Sequence, residues 1–362
     1  MSSSNKTMVV KIGSSTLVGS GRHIRRGFLH DMATQAHELR QAGWNLVVVS
    51  SGAVACGYPL LGFSDRPQDM PSLQASASVG QCVLSAAWDE QFRSLGMLTS
   101  LVLLTRHDTA RRSSYLHARE ALNENDTTAV DEITFGDNDT LAALVSCLVS
   151  ADLCVTLSDI DGLYTANPAL DPSAVKLDRV EKIDPDIIAS AGDSSTAVGT
   201  GGMITKIRAA RILMTAGIRS VICSGEEERP LVRLAQGEPV GTVFEPSCTN
   251  GGLAPRKLWI ALGDSAHGAL VVDDGAAAAL VGDGSSLLPV GILSVTGDFD
   301  RGSVLDVRNT SGMTIARGIA EASSDELRLA AGRHQDEIAS NRLLAGLSGR
   351  PAIHRDNLIA FA

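Results

Sequence analysis

Aromatic side chains make up only 4% of the 362 residues, and Lys plus Arg number 31 against 41 Asp plus Glu, a net charge of −10. The first scarcity excludes a core of stacked rings and leaves the interior to Ala, Val, Leu and Ile, as in layered α/β proteins. The second excludes a general polyanion binder, because counterion-release affinity needs a concentration of cations. Cysteine is sparse: the six, at 56, 82, 147, 154, 223 and 248, form no CxxC pair and no zinc-like cluster. No secretory leader precedes them, so reduced thiols in a cytoplasm are expected. Long apolar runs are also missing. Leu141 to Leu157 is broken by Ser146, Ser150 and Asp152 and falls short of the roughly 18 uninterrupted apolar residues of a membrane span.

What is present is a repeated unit. Met8 to Ile12 is a short β-branched run that ends in a glycine-serine turn, the pattern of a buried strand feeding a loop. Leu29, Met32, Ala36 and Leu39 then recur at helical spacing, with Gly43 placed to end the helix. Leu46 to Val49 supplies the next strand and ends in Ser50-Ser51-Gly52-Ala53. The unit reads as βαβ with a parallel sheet. Thr99 to Leu104 and Leu153 to Leu157 repeat the pattern, each followed by polar residues. Ligands of open α/β sheets sit beyond the C-terminal strand ends, so Lys11, Ser51 and Asp159 are candidates for one crevice. A helix through Ile204, Ile207, Leu213 and Met214, then a strand at Ser220 to Ile222, completes the larger domain, expected over 1–248. A Pro, Ser, Asn and Gly-rich linker spans 249–255. Beyond it, over 256–362, short runs at Leu258 to Ala261, Ala269 to Val272, Ser303 to Val307 and Thr314 to Ile319, with one helix around Ala276 to Val281, predict a compact β-barrel-like module.

Lys11 beside Gly13-Ser14-Ser15 places a cation next to a turn whose amides can approach phosphate oxygens, although a lysine ending a strand is more often solvated. Gly199-Thr200-Gly201-Gly202-Met203-Ile204-Thr205-Lys206 is more informative. It sets unhindered amides at a helix N-terminus, where the macrodipole favours an anion, with a lysine in reach. It is not the GxxxxGK[ST] loop, and the competing reading is a mobile glycine linker. Asn123-Glu124-Asn125-Asp126 and Gly136-Asp137-Asn138-Asp139 concentrate amides and carboxylates suited to an ammonium group or Mg²⁺-bound water, or to ordinary turns.

The ordered series Val10 to Ser15, Ser50 to Ala53, Asn123 to Asp126, Gly136 to Asp139, Ser158-Asp159 with Gly162 to Tyr164, and Gly199 to Lys206 resembles the glutamate 5-kinases of the amino acid kinase family. Gly284 to Pro289 and Ser294 to Gly297 resemble that family's PUA domain, so the likeness covers nearly the whole chain. The resemblance implies a three-layer α/β/α sandwich with a mostly parallel sheet plus a small C-terminal PUA domain. It implies that Lys11 and Lys206 flank the transferred phosphoryl and that Asp139 positions them. Ser51, Asp126 and Asn138, with Asn123 beside them, match glutamate-binding positions. Lys11, Gly13, Ser158, Asp159 and Thr200, Gly201, Gly202, Met203, Ile204, Thr205 and Lys206 match the ATP site, with Mg²⁺ bridging phosphates and no protein metal ligand assigned. It further implies γ-glutamyl phosphate as product, at the first step of proline synthesis, with proline as feedback inhibitor and a homo-oligomer.

One departure stands out. Arg119 to Leu122 runs directly into Asn123, whereas the family interposes an apolar strand. About a dozen residues are missing by that comparison, enough for a helical turn plus a strand. The expectation is that neighbouring strands lose ladder partners and that turnover is weakened or abolished. Two other readings compete: a scaffold whose C-terminal module binds RNA, and a related amino-acid or carbamate kinase. The first is disfavoured by charge, since from Leu253 onward 10 Lys plus Arg face 13 Asp plus Glu.

Overall fold

The computed structural model describes residues 5–19, 23–104, 127–132, 138–190, 202–246 and 266–361. The chain divides into two compact units, Met1–Gly252 and Leu253–Ala362. The expected linker, 249–255, and the run Leu258 to Ala261 lie outside the described residues.

In the first unit β1 (Lys6–Ile12) leads through a single helical turn, α1 (Ser14–Leu17), to α2 (Arg26–Gln41) and β2 (Trp44–Ser50). The turn between α2 and β2 uses Gly43 at φ +82, in the left-handed region where glycine carries no Cβ penalty. Then come α3 (Ala53–Gly57), the long α4 (Met70–Ser94), β3 (Ser100–Leu104), β4 (Thr127–Glu132), α5 (Asn138–Leu148) and β5 (Leu153–Ser158). A two-stranded hairpin, β6 (Leu163–Tyr164) and β7 (Lys176–Leu177), precedes β8 (Arg179–Val180) and α6 (Pro185–Ser190). The unit closes with α7 (Met203–Thr215), β9 (Arg219–Ser224), α8 (Pro230–Ala235) and β10 (Thr242–Phe244).

Eight strands form one sheet in the order β3-β4-β2-β1-β5-β9-β10-β8. All neighbours run parallel except β9 and β10. Strand periodicity assigns the faces. Met8, Val10 and Ile12 join a core with Leu29, Met32, Leu39, Trp88 and Phe92 of α2 and α4. Val9 and Lys11 point to the opposite face, where α5 packs on β1. A second core beneath α7 joins Ile207, Ala210 and Met214 to Ile222 and Phe244. This is the expected three-layer arrangement.

The predicted gap in the ladder does not occur. Thr127–Glu132 lies between β2 and β3, pairing Leu46 with Thr127 through Val49 with Val130 on one side, and Ser100 with Thr128 through Leu104 with Glu132 on the other. The segment that fills the slot follows Asn123 to Asp126 in sequence, where the resemblance puts a strand before them. An interior slot in a parallel sheet exposes two rows of backbone donors and acceptors, so any extended segment able to pair on both sides is favoured there.

The second unit is a five-stranded sheet in the order β12-β11-β13-β14-β15. Its elements are β11 (Gly268–Val272), α9 (Asp274–Gly282), β12 (Ile292–Thr296), β13 (Val304–Arg308), β14 (Thr314–Ile319), α10 (Ser324–Ala330), α11 (Gln335–Ser340) and β15 (Leu358–Ala360). Its core is aliphatic, built on Leu270, Leu305, Val307, Leu327 and Ile353. Among the described residues Cys56, Cys147, Cys154 and Cys223 are buried thiols, Cys82 is an exposed one, and none of them is in a disulfide. Among the described residues no helix is long and apolar enough to cross a membrane.

Candidate active site

The C-terminal strand ends gather the predicted chemistry. Lys11 stands one residue before the end of β1, level with Val49 of β2 and Thr156 of β5. Its side chain leaves the α2 face, enters the layer of α5, and meets Asp139 in the first turn of that helix: Lys11 Nζ lies 2.7 Å from Asp139 Oδ1. Lys206, in the second turn of α7, brings Nζ to 3.6 Å from Asp139 Oδ2. Side-chain exposures are 9% for Lys11, 7% for Lys206 and 1% for Asp139. Two buried ammonium groups thus share one buried carboxylate.

Thr205 completes the cluster. Its Oγ1 lies 2.7 Å from Asp139 Oδ2 and 2.8 Å from the Gly202 carbonyl, so its proton serves one acceptor or the other. Burial by itself would raise the Asp139 pKa. The charges of Lys11 and Lys206, with hydrogen bonds from Lys11 and Thr205, outweigh burial and hold the carboxyl below the usual range. The position at the start of α5 acts the same way, since the helix dipole favours an anion there.

That depression makes stability depend on pH with a defined sign. A carboxyl with a lowered native pKa stabilises the fold above its unfolded value, near about 3.9, and loses that contribution as pH falls through the native value. Denaturant titrations of the parent and Asp139→Asn should therefore show a gap that is wide at neutral pH and narrows on acidification below that value. A gap independent of pH would mean that Asp139 is not ionised in the fold.

The neighbouring residue faces the other half of the site. Asn138 Nδ2 donates to Ser51 Oγ at 2.7 Å, joining α5 to the turn after β2. Trp88 of α4 donates its indole N–H to Ser50 Oγ at 3.2 Å, fixing the strand end from below. Consecutive residues of one helix start therefore reach two half-sites, Asn138 to a hydroxyl and Asp139 to two cations. Ser158 ends β5 with its hydroxyl donating to Asp159 Oδ1 at 3.0 Å, and its carbonyl accepts the Gly225 N–H at 2.8 Å. Gly202 caps α7 without a side-chain bond, and Met203, Ile204 and Thr205 are half-buried in its first turn. Gly13 is half-buried in the turn after β1. Asn123, Asp126, Thr200 and Gly201 lie outside the described residues. Sequence reasoning did not single out the Thr205 bond to Asp139 or the clamp of Arg25 on Glu226 next to the Gly13 turn; both link residues far apart in the chain.

The amino acid kinase family matches residues 6–224, more than half of the chain, and the PUA domain matches 268–340. Over 366 residues the chain is 44% identical to the glutamate 5-kinase of Geobacter sp. (strain M21), covering 98% of this chain and 97% of that protein. It is 45% identical to the glutamate 5-kinase of Pseudomonas entomophila (strain L48), covering 97% and 96% respectively. The chain belongs to the amino acid kinase family, among the glutamate 5-kinases. A solved UMP kinase from Bacillus anthracis is similar with a TM-score of 0.47 and 14% identity, covering 69% of this chain and 98% of that one. Membership in the glutamate 5-kinases, with a PUA domain, makes the chain a kinase and places phosphoryl transfer at the centre of its chemistry.

Proposed function

We propose that the protein transfers the γ-phosphoryl group of ATP to the side-chain carboxylate of L-glutamate, giving γ-glutamyl phosphate and ADP as the first step of proline biosynthesis. The observation that carries this reading is the Lys11–Asp139–Lys206 cluster beside the Ser51–Asn138 pair. A carboxylate oxygen attacks phosphorus as the bond to the ADP oxygen breaks. The acceptor is already ionised at neutral pH, so no general base is required. What the protein must supply is position and positive charge. Lys11 and Lys206 are assigned to the charge of the moving phosphoryl, and Asp139 to holding them apart and aimed. Ser51 and Asn138, with Asn123 and Asp126 by resemblance, are assigned to glutamate. Gly13, Ser158, Asp159 and the stretch 200–206 are assigned to ATP.

Magnesium would arrive with the nucleotide, held by phosphates and needing at most one or two protein carboxylates. Asp139 is engaged on both oxygens, whereas Asp159 is exposed at the end of β5. Residues 1–248 are taken as the catalytic domain and 256–362 as the PUA-like domain of a cytoplasmic homo-oligomer inhibited by proline. The deciding experiment is acceptor-dependent ADP release from ATP by the purified chain, with glutamate, aspartate, acetylglutamate and carbamate compared side by side and the glutamate product trapped as γ-glutamyl hydroxamate. ATP-dependent turnover is expected with glutamate and at least tenfold less with the others. Turnover with another acceptor, or none, overturns the assignment.

A further inference from the structure

The two halves of the proposed site rest on one short element. α1 follows the end of β1, and its two buried side chains reach the strand ends on either side. Leu17, fully buried, turns toward β2. A Cβ built on Gly52 would stand 2.7 Å from Leu17 Cδ2, so that methyl fills the place a side chain would take. Gly52 is at φ +112, where an L side chain is strained whatever the space, so the turn after Ser51 has none of its own with which to set its height above the core. Thr16 turns the other way. Its methyl would stand 2.2 Å from a Cβ on Gly225, the residue after β9, and the Gly225 N–H donates to the Ser158 carbonyl at the end of β5. In the sheet order β2-β1-β5-β9, α1 thus touches the Ser51 turn through Leu17 and the Ser158 side through Thr16. What holds α1 in place does not involve the Leu17 side chain. The Leu17 N–H donates to the Gly13 carbonyl at 3.1 Å, the Arg25 N–H to the Leu17 carbonyl at 3.0 Å and Arg25 Nη1 to the Thr16 carbonyl at 3.0 Å, while the guanidinium also holds Glu226. Shortening residue 17 leaves these bonds standing and opens space beneath Gly52.

We infer that Leu17 is a positioning residue for the acceptor: its side chain supports Gly52 from below and so keeps Ser51 where a carboxylate bound to it meets the phosphoryl group beside Lys11. The assignment rests on the reading of Ser51 as a glutamate contact. For Leu17→Ala, kcat/KM for glutamate should fall about a hundredfold, the scale of a misplacement by an ångström, while the Kd for a non-hydrolysable ATP analogue, measured by calorimetry, stays at the parental value. Leu17→Met, which conserves volume, should restore most of the loss. Leu17→Val withdraws the Cδ methyls at a smaller loss of volume and should show the same selective effect if the alanine variant does not fold. A merely structural leucine is excluded by a matched cavity. Leu39 is 2% exposed in the same core but lies in the last turn of α2, which leads into the start of β2 at the opposite end of the strands. Leu39→Ala should lower the melting temperature as Leu17→Ala does and leave kcat/KM for glutamate unchanged. Parental kcat/KM for glutamate in Leu17→Ala and Leu17→Val, an equal loss in Leu39→Ala, or an equal loss of nucleotide affinity overturns the assignment alone. A parent chain without glutamate-dependent ADP release overturns this assignment and the reading of Ser51 together.

Discussion

Lys206→Met should lower kcat by about 10²–10³-fold, the loss typical when one preorganised donor to a developing anion is removed. The KM for glutamate should change little, because the contacts proposed for the acceptor lie on the Ser51–Asn138 side. The variant is informative because the fold can tolerate it. Asp139 keeps Lys11 at 2.7 Å and the Thr205 hydroxyl at 2.7 Å, so no buried charge is stranded. Lys206→Arg should not rescue, since a planar guanidinium cannot replace a compact ammonium at 7% exposure. Asp139→Ala is the contrasting case. It removes the carboxylate that two buried ammonium groups share, and stability should fall by about 3–5 kcal/mol as well as activity. Steady-state kinetics with denaturant melts on the three variants separate the roles. A Lys206→Met enzyme retaining more than about a tenth of parental kcat would remove Lys206 from the transition state.

How far this site is legible without coordinates depends on which face a residue lies on. β1, β2, β3 and β5 are readable because parallel strands buried on both sides are continuous apolar runs, and α7 is readable because its apolar residues follow a glycine-rich start. Lys11 interrupts such a run, which marks it as unusual but does not say what it meets. Its meeting with Asp139 and Lys206 was carried by the resemblance, and only the crossing of α5 over β1 explains it physically. β4 was not legible at all. Thr-Thr-Ala-Val-Asp-Glu has neither a long apolar run nor a clean alternation, and its place is set by the two strands that flank it. α4 was missed for a related reason: Ser76 and Gly80 stand where a larger apolar stripe would announce a helix, because they face another backbone.

That close approach gives the other large expected effect. A Cβ on Gly80 would lie 1.8 Å from the Ala53 carbonyl oxygen, and one on Gly57 would lie 1.8 Å from the Ser76 carbonyl oxygen. The backbones of α3 and α4 therefore touch through a reciprocal pair of glycines, and neither obstacle is a side chain that can swing away. Gly80→Ala must push the helices apart. Overpacking of this kind costs about 1–3 kcal/mol, occasionally more, against which the better helix propensity of alanine recovers only about 1 kcal/mol. The displacement has one direction of travel. α4 is held in the core by Trp88 and Phe92, both 2% exposed, whereas α3 is a short helix hung directly on Ser51-Gly52. Gly80→Ala should therefore move the Ser51 turn, raising the KM for glutamate about tenfold or more while the Kd for nucleotide stays near the parent's, since misplacement by an ångström can cost about a hundredfold. Equal loss of glutamate and nucleotide affinity would mean that the strain spreads through the whole sheet and that the α3–α4 crossing has no particular hold on the acceptor side.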